Sequence, residues 1–188
     1  MRPYGHHRSQ GGSTLLEVLV TIVILAMGLL GLAGLQIRMH ISEMESYQRV
    51  QAMILLEDMA RRFEVNRNFA ADYLTGATAP LGAGMTCPTT SATLQQRDAR
   101  QWCGALQGAA EKSGTSKVGV MIGGRGCVES LGGNEYMITV AWQGLEAVSA
   151  PPASVACGKD LYDGAAASTC RADACRRTVT TIVRIAPL

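Results

Sequence analysis

One acidic residue, Glu17, lies at the head of a long apolar stretch, where its carboxylate could take part in an ionic interaction. The 18 residues from Val18 to Leu35 carry no charge, and Thr21 is their only polar side chain. A carboxylate in hydrocarbon costs about 2.5 kcal/mol or more, so such residues are rarely retained without a role. Glu17 is therefore the first candidate functional residue.

Two chemical roles are open to Glu17. Together with Thr14 it forms the Thr-x-x-Glu pattern of a capping box, in which both side chains satisfy free N–H groups at a helix start. Alternatively, its carboxylate pairs with a cation that another apolar helix supplies. The two roles are compatible, because capping can occur in the single subunit and pairing in an assembly.

The apolar stretch is just long enough to cross a bilayer, especially when Leu15 and Leu16 are added. A buried core helix fits poorly, because a domain this small would scarcely bury a helix that is apolar all round. A cleavable signal peptide is an alternative, since Arg2 and Arg8 form a basic start and residues 31–33 resemble a cleavage site. A membrane anchor is favoured because the helical pattern continues beyond this point.

The pattern after the apolar stretch predicts a continuous amphipathic helix. No proline or glycine occurs between Gln36 and Arg67, and apolar residues recur at helical spacing. We therefore predict one helix from residue 14 to about 67, roughly 80 Å long, transmembrane over about 15–35 and amphipathic over about 36–67. Three acid-before-base pairs at i,i+4 support its polar face: Glu45–Arg49, Glu57–Arg61 and Asp58–Arg62.

The six cysteines all follow the apolar stretch, and their even number indicates disulfides formed in an oxidising compartment. A zinc site is the alternative, but it usually needs a closer cysteine pair or nearby histidines. We expect Cys157 to pair with Cys170 or Cys175, and the other three to supply most of the remaining links. The six candidates are Cys87, Cys103, Cys127, Cys157, Cys170 and Cys175.

The sequence pattern of residues 68–188 predicts a small α+β domain. Alternation of apolar and polar residues indicates strands, and a stretch of more than 30 residues before the last strand indicates an irregular excursion held by cysteines. A small antiparallel sheet packed on the C-terminal half of the long helix is the fold that this implies. The predicted elements are a loop at 76–87, a helix at 91–112 and strands at 117–122, 136–142 and 177–185.

The domain shows no arrangement of residues for catalysis. No histidine follows His40, which removes the Ser-His-Asp, Cys-His and H-E-x-x-H patterns. The glycine-rich segment 123–126 lacks the Lys-Ser/Thr of a phosphate loop and predicts a turn, and Asp160, Asp163 and Asp173 lack the spacing of a calcium loop. We predict no enzyme, no cofactor and no metal; the scattered basic residues and the net charge of +2 predict no nucleic-acid partner.

The sequence around Glu17 resembles the start of type IV pilin-like proteins, in particular minor pilins of the PilV kind. The family has a short basic leader ending in glycine, followed by a start such as F-T-L-I-E-V. The matching run here is Gly12, Ser13, Thr14, Leu15, Leu16, Glu17 and Val18. The first residue after the glycine departs from the family, which usually has Phe or Met there.

The resemblance implies how the chain is processed and what it binds. A prepilin peptidase would cut between Gly12 and Ser13 and methylate the new amine of Ser13, and Glu17 would pair with the amine of a neighbouring subunit. The chain would then comprise a leader (1–12), a long helix (13–67) and a globular domain (68–188), with the pilin fold. Its partners would be other minor and major pilins.

The same resemblance implies a location and a function. The chain would cross the inner membrane once, with its N-terminus cytoplasmic and its C-terminal domain periplasmic, before entering an extracellular pilus. The leading hypothesis is a structural minor pilin at the pilus tip, in an initiation complex. A pseudopilin of a type II secretion system is the first alternative, and a secreted binding protein with a cleaved signal peptide is the second.

The N-terminus of the protein recovered from membranes separates these hypotheses. We expect intact mass and N-terminal sequencing to give a start at Ser13 with one added methyl group. A start at Gly34 would instead mean that signal peptidase removed the apolar stretch, and the assembly hypothesis would be wrong.

Overall fold

The computed structural model describes residue 12 and residues 14–109, 112–113, 116–117 and 121–186. Residues 1–11 of the predicted leader (1–12), the predicted first mature residue Ser13 and positions 118–120 of a predicted strand lie outside the described residues. The chain divides into two compact units, residues 1–42 and residues 43–188. The first unit holds the N-terminal part of a long helix, and the second holds the rest of that helix with everything after it.

The long helix α1 runs from Leu15 to Val65, within two residues of the bounds that the sequence predicts. A short 3-10 helix, Arg67–Tyr73, follows it. Within the second unit one face of α1 packs into the core, with residues at the i, i+3, i+4 and i+7 spacing that the sequence pattern requires. The buried residues are Gln48, Ala52, Leu56, Met59 and Phe63.

The second helix, α2 (Leu94–Leu106), begins at a complete capping box. The Thr93 hydroxyl accepts the Gln96 N–H at 3.2 Å, and the Gln96 side-chain oxygen accepts the Thr93 N–H at 3.4 Å. The helix ends at Leu106, and two residues later Gly108 takes a positive φ of 79°. The predicted helix at 91–112 was therefore too long at both ends, because these local features stop it sooner.

Four strands form one antiparallel sheet in the order β1-β4-β5-β6. They are β1 (Leu81–Gly82), β4 (Arg125–Gly132), β5 (Glu135–Gln143) and β6 (Arg176–Arg184). A separate pair is formed by β2 (Lys112–Ser113) and β3 (Ser116–Lys117). The predicted strands at 136–142 and 177–185 are confirmed within one residue at each end.

The strand predicted at 117–122 is wrong over its last two residues, since Met121 lies outside any strand and Ile122 begins a turn. Strand β4 was not predicted from the sequence, and Arg125 and Gly126, which were predicted in a turn, both lie in that strand. A two-residue turn joins β4 to β5, and its residues Gly133 and Asn134 have φ of 57° and 64°. Two positive φ values fit the type I′ turn that suits a tight hairpin.

The two faces of the sheet have different surroundings. One face, which we call the core face, packs against α1 and α2 and carries Val128, Ile138, Val140 and Val183. The other, which we call the outer face, carries the residues between them, such as Cys127. Trp102 of α2 fills the space under the core face, and its indole N–H donates to a backbone carbonyl of α1 at 2.9 Å.

Three disulfides cross-link the second unit. Together with the helices and the sheet they confirm the predicted α+β fold. Cys87–Cys103 joins the loop before α2 to that helix, and Cys170–Cys175 closes a small loop before β6. Cys157 pairs with Cys127, with Cα atoms 5.8 Å apart, so its predicted pairing with Cys170 or Cys175 is wrong. Cys127 lies on the outer face of β4, the strand that the sequence analysis missed.

The excursion between β5 and β6, residues 144–175, is irregular as predicted. It folds over the outer face, where Tyr162 packs with the Cys127–Cys157 bond and Ala141. Arg176, buried at the start of β6, donates to the carbonyls of Val155 and Cys157. It also forms an ion pair at 3.0 Å with a carboxylate three residues earlier, so the buried charge is compensated.

The contact between Gly126 and Trp102 gives a test of this packing. A Cβ at Gly126 would lie 2.6 and 2.7 Å from two atoms of the Trp102 ring. We expect Gly126→Ala to destabilise the protein by about 1–3 kcal/mol through overpacking, measured by denaturant unfolding in detergent. Gly104→Ala in α2 is the matched control, because its Cβ would meet nothing closer than 3.7 Å. Equal stability of the two variants would contradict the packing.

Candidate functional site: the N-terminal segment and its support

The candidate site begins at the start of α1. The hydroxyl of Thr14 accepts the backbone N–H of Glu17 at 3.3 Å, and the Thr14 carbonyl accepts the N–H groups of Glu17 and Val18 at 3.0 and 3.2 Å. The Thr14 half of the predicted capping box is therefore present. Gly12 is exposed, and a Cβ there would meet nothing within 4 Å. Ser13, between them, lies outside the described residues.

The apolar residues that follow Glu17 are all exposed within their own unit. Every residue from Leu15 to Leu35 is exposed, and Leu30 keeps 74% of its surface accessible. Exposed apolar surface of this extent marks contact with a membrane or with other protein chains. Among the described residues, α1 is the one helix that is long and apolar enough to span a bilayer.

The helix is not interrupted at residues 31–33, where a signal peptidase would cut. Gly31 and Gly34 lie inside α1, and the helical assignment continues without a break to Val65. The apolar stretch and the helix that packs in the second unit are thus parts of one secondary-structure element. This continuity is what the predicted membrane anchor requires.

Within the second unit, Glu45 connects α1 to the polypeptide on either side of the excursion. One of its carboxylate oxygens accepts the N–H of Leu145 at 2.9 Å and a guanidinium N–H of Arg177 at 3.2 Å. The predicted pair Glu45–Arg49 is wrong because Arg177, 132 residues away in sequence, takes this carboxylate. The other two predicted helix pairs, Glu57–Arg61 and Asp58–Arg62, are confirmed at 3.1 and 2.9 Å.

A second polar cluster fixes the C-terminal end of α1. Asp98 of α2, only 5% exposed, accepts from Arg62 at 2.9 Å and from the Tyr73 hydroxyl at 2.6 Å. Burial alone would lower the pKa of Arg62, but hydrogen bonds and the charges of Asp58 and Asp98 raise it overall. Burial and the bond to Asp98 raise the pKa of Tyr73 to about 12, so its hydroxyl remains a donor at physiological pH.

The excursion also contains the three aspartates that could have formed a cation site. Asp163 accepts the N–H groups of residues 172 and 173, and Asp173 accepts the N–H of Asp160 at 2.9 Å. Carboxylates used in this way stabilise turns in the loop. In the part of the chain that the structure describes, no group of three potential ligands is placed to hold a metal.

Two further groups on the sheet side of the second unit have shifted pKa values. Burial raises the pKa of Tyr162, an effect that the nearby guanidinium of Arg125 opposes, and the Tyr162 hydroxyl donates to the Gly123 carbonyl at 2.9 Å. Burial likewise raises the pKa of Glu129 on β4. The Tyr162 ring belongs to the buried cluster on the outer face, with Cys127, Ala141 and Cys157.

Comparison with known proteins identifies the N-terminal segment. A family model described as the prokaryotic N-terminal methylation motif matches residues 7–33, a region that contains Gly12, Glu17 and most of the exposed apolar stretch. No curated protein matches the chain, and no solved structure matches it. The match therefore concerns the N-terminal segment and leaves the second unit to be interpreted from its own structure.

The motif indicates the kind of role that its segment serves. It is the processing signal of type IV pilin-like prepilins, so residues 7–33 indicate a substrate of prepilin peptidase and a role of the type IV pilin or pseudopilin kind. The motif and the exposed apolar helix together indicate membrane anchoring. The second unit, a helix packed on a four-stranded antiparallel sheet with disulfides, matches the type IV pilin fold.

The two polar clusters that fix α1 in the second unit were not predicted from the sequence. Glu45 was assigned to a local helix pair, and Asp98 had no distinguishing neighbour in sequence. The signal available for Asp98 was its position in α2 four residues before Trp102, which places both side chains on the same face of that helix. No feature of the sequence indicated that Arg177 would reach Glu45.

Replacement of Asp98 tests whether this cluster stabilises the fold. Asp98→Ala leaves the Tyr73 hydroxyl and Arg62 each short of a buried partner, and we expect it to lower the free energy of unfolding by about 2–3 kcal/mol. The control is Glu57→Ala, which removes an exposed helix pair and should cost less than about 0.5 kcal/mol. Denaturant titration of both variants measures the difference; similar losses would contradict a buried stabilising role.

Proposed function

We propose that this chain is a minor pilin, a structural subunit that enters a type IV pilus near its tip as part of an initiation complex. The observation that carries the proposal is a methylation motif at the start of a helix whose apolar surface is exposed over its first 21 residues. Such a surface must be covered by lipid before assembly and by other helices after it. One segment thus serves as both anchor and assembly element.

Processing is the first step of this function. Prepilin peptidase cuts between Gly12 and Ser13 and methylates the amine of Ser13. The exposed, unhindered backbone at Gly12 supports access to this bond. Removal of residues 1–12 leaves a mature chain of a long helix, 13–67, and a globular domain, 68–188.

Glu17 then directs assembly. The new amine lies four residues before Glu17 in the sequence. In an apolar bundle an unpaired ammonium and an unpaired carboxylate are each costly, whereas a neighbouring subunit that supplies the opposite charge relieves both costs. A slip of one turn, about 5.4 Å, separates the two charges again, so the pair also fixes the register between helices.

The orientation in the membrane is inferred from the positive charges before the apolar stretch and from the disulfides after it. Arg2 and Arg8 precede the apolar stretch, and positively charged flanks stay on the cytoplasmic side. The domain after the helix then faces the periplasm, an oxidising compartment in which its three disulfides can form. From the inner membrane the subunit passes into the extracellular pilus, together with other minor pilins and the major pilin.

The role of Glu17 is tested by comparing two substitutions at the start of α1. We expect Glu17→Gln to be processed and retained in the membrane but to fall at least tenfold in sheared filaments, since the amide cannot neutralise an amine. Thr14→Val removes only the cap, which costs about 1 kcal/mol, and should assemble near the level of the unchanged protein. Quantitative immunoblots of membranes and filaments measure both.

The outcomes separate assembly from capping. If both variants enter filaments equally, or if Thr14→Val fails as severely as Glu17→Gln, the ionic role of Glu17 is wrong.

Deleting the whole chain tests whether it serves a pilus or a secretion system. Loss of surface pili with normal protein secretion supports the pilus assignment, whereas loss of secretion with normal pili contradicts it in favour of a pseudopilin.

A further inference from the structure

The last strand, β6, forms an edge of the four-stranded sheet. Among the described residues its one strand partner is β5, with which it pairs from Arg184↔Glu135 to Arg176↔Gln143. Nine residues make it as long as any strand in the sheet. A long edge strand presents backbone donors and acceptors on which a further strand can pair.

Hydrogen bonds at the two ends of the β5–β6 ladder show which residues of β6 face the open edge. The N–H of Ile185 donates to the Asn134 carbonyl at 2.9 Å, and the N–H of Gly144 donates to the Cys175 carbonyl at 2.7 Å. In an antiparallel pair, residues bonded across the ladder alternate with residues whose N–H and C=O groups point away. Positions 177, 179, 181 and 183 therefore bond to β5, and positions 178, 180, 182 and 184 face outward.

The outward positions are open. Thr180, Ile182 and Arg184 are exposed, Thr178 is half-buried, and among the described residues no backbone partner outside β5 is found for these four. Native sheets usually protect such edges with proline, lysine or a bulge. The stretch from Thr178 to Val183 has none of these, and Ile182 keeps 59% of its surface accessible on the outer face.

The charges beside this edge favour a particular partner. A cleft of about 180 Å³ lies between α1 and the start of β6 and is lined by Glu45, Arg49, Trp142, Arg177 and Thr178. Its lining has two guanidinium groups and one carboxylate. Glu45 pairs with Arg177, whereas Arg49 is exposed and forms no ion pair with any described residue. The cleft therefore carries an excess positive charge that an acidic side chain would neutralise.

A second copy of β6 does not supply that acid. The strand contains three arginines, Arg176, Arg177 and Arg184, and no acidic residue. If two β6 strands paired antiparallel about Thr180, Arg184 of each would lie opposite Arg176 of the other. Each of these arginines already pairs with a carboxylate of its own chain, Arg176 with Asp173 and Arg184 with Glu135, so this pairing brings no free acid to the cleft.

We propose that the open edge of β6 accepts an extended, acidic segment of a partner protein, which adds a fifth strand to the sheet. In the antiparallel orientation, a partner residue opposite Ile182 lies on the outer face, and the residue opposite Arg177, five positions later, lies on the side of α1 and the cleft. The partner segment therefore carries an apolar residue followed after five positions by Asp or Glu. Backbone hydrogen bonds supply affinity, and these two side chains supply specificity.

The experiment uses the full-length protein in detergent micelles and a synthetic peptide as the probe. The peptide has nine residues, mostly threonine, with isoleucine at its third position, glutamate at its eighth and blocked ends. Amide hydrogen exchange followed by NMR reports each N–H of β6 separately. We expect the peptide to slow exchange at Thr178, Thr180 and Ile182 at least tenfold, while Val179 and Thr181, already bonded to β5, change little.

Two substitutions and one altered peptide provide the controls. Thr180→Pro removes an outward N–H without breaking a bond to β5, and it should weaken peptide binding about tenfold. Thr180→Val keeps that N–H and should bind normally. A peptide with lysine in place of the glutamate should bind about three- to tenfold more weakly, because it places a cation next to Arg49.

Each contrary result overturns the proposal in a distinct way. Unchanged exchange at saturating peptide would mean that the edge accepts no strand. Slowed exchange without peptide, increasing with protein concentration, would mean that the occupant is a second copy. Equal binding of the glutamate and lysine peptides would contradict the acidic partner. Unchanged circular dichroism of Thr180→Pro confirms that its loss of binding is not a loss of fold.

Discussion

The need to keep one continuous apolar surface out of water constrains the whole chain. From Leu15 to Leu35 every side chain is exposed within its own unit, and each Leu, Ile or Val withdrawn from water contributes about 1.5–3 kcal/mol. The methylation motif and the apolar length of this helix indicate a membrane as one environment of this surface. The burial of apolar surface is non-directional. The carboxylate of Glu17 at the start of this surface adds an ionic interaction, which depends on the position of its partner.

The elements that could be predicted from the sequence are those whose pattern is local. The absence of proline and glycine after Gly34 predicted α1, and alternation predicted β5 and β6. Strand β4 was missed because Gly123 and Gly124 precede it and Gly126 is its second residue. Gly126 is required for a tertiary reason, the space taken by the Trp102 ring. The two-residue turn at Gly133 and Asn134 was a usable signal for the hairpin, since such pairs favour positive φ.

The long-range links could not be predicted because they depend on where the sheet places residues that are far apart in the sequence. Nearness in sequence favoured a bond from Cys157 to Cys170 or Cys175, but pairing depends on which cysteines the sheet brings within 4.4–6.8 Å between Cα atoms. Cys127 meets that condition because β4 turns it to the outer face, over which the excursion folds. Glu45 likewise pairs with Arg177 and not with Arg49, its predicted partner in the helix. The β5–β6 ladder places Arg177 beside it.

In the second unit these links fix α1 at two separate points. Glu45 joins the helix to the start of β6 and to Leu145, and Arg62 joins it to α2 about 26 Å farther along. Between them the buried side chains Ala52, Leu56 and Met59 pack on the core. A force along α1 must therefore break both polar clusters and the intervening packing together, and the disulfides limit how far the rest of the unit can extend. A subunit held in a filament through its helix, as proposed above, would require this kind of attachment.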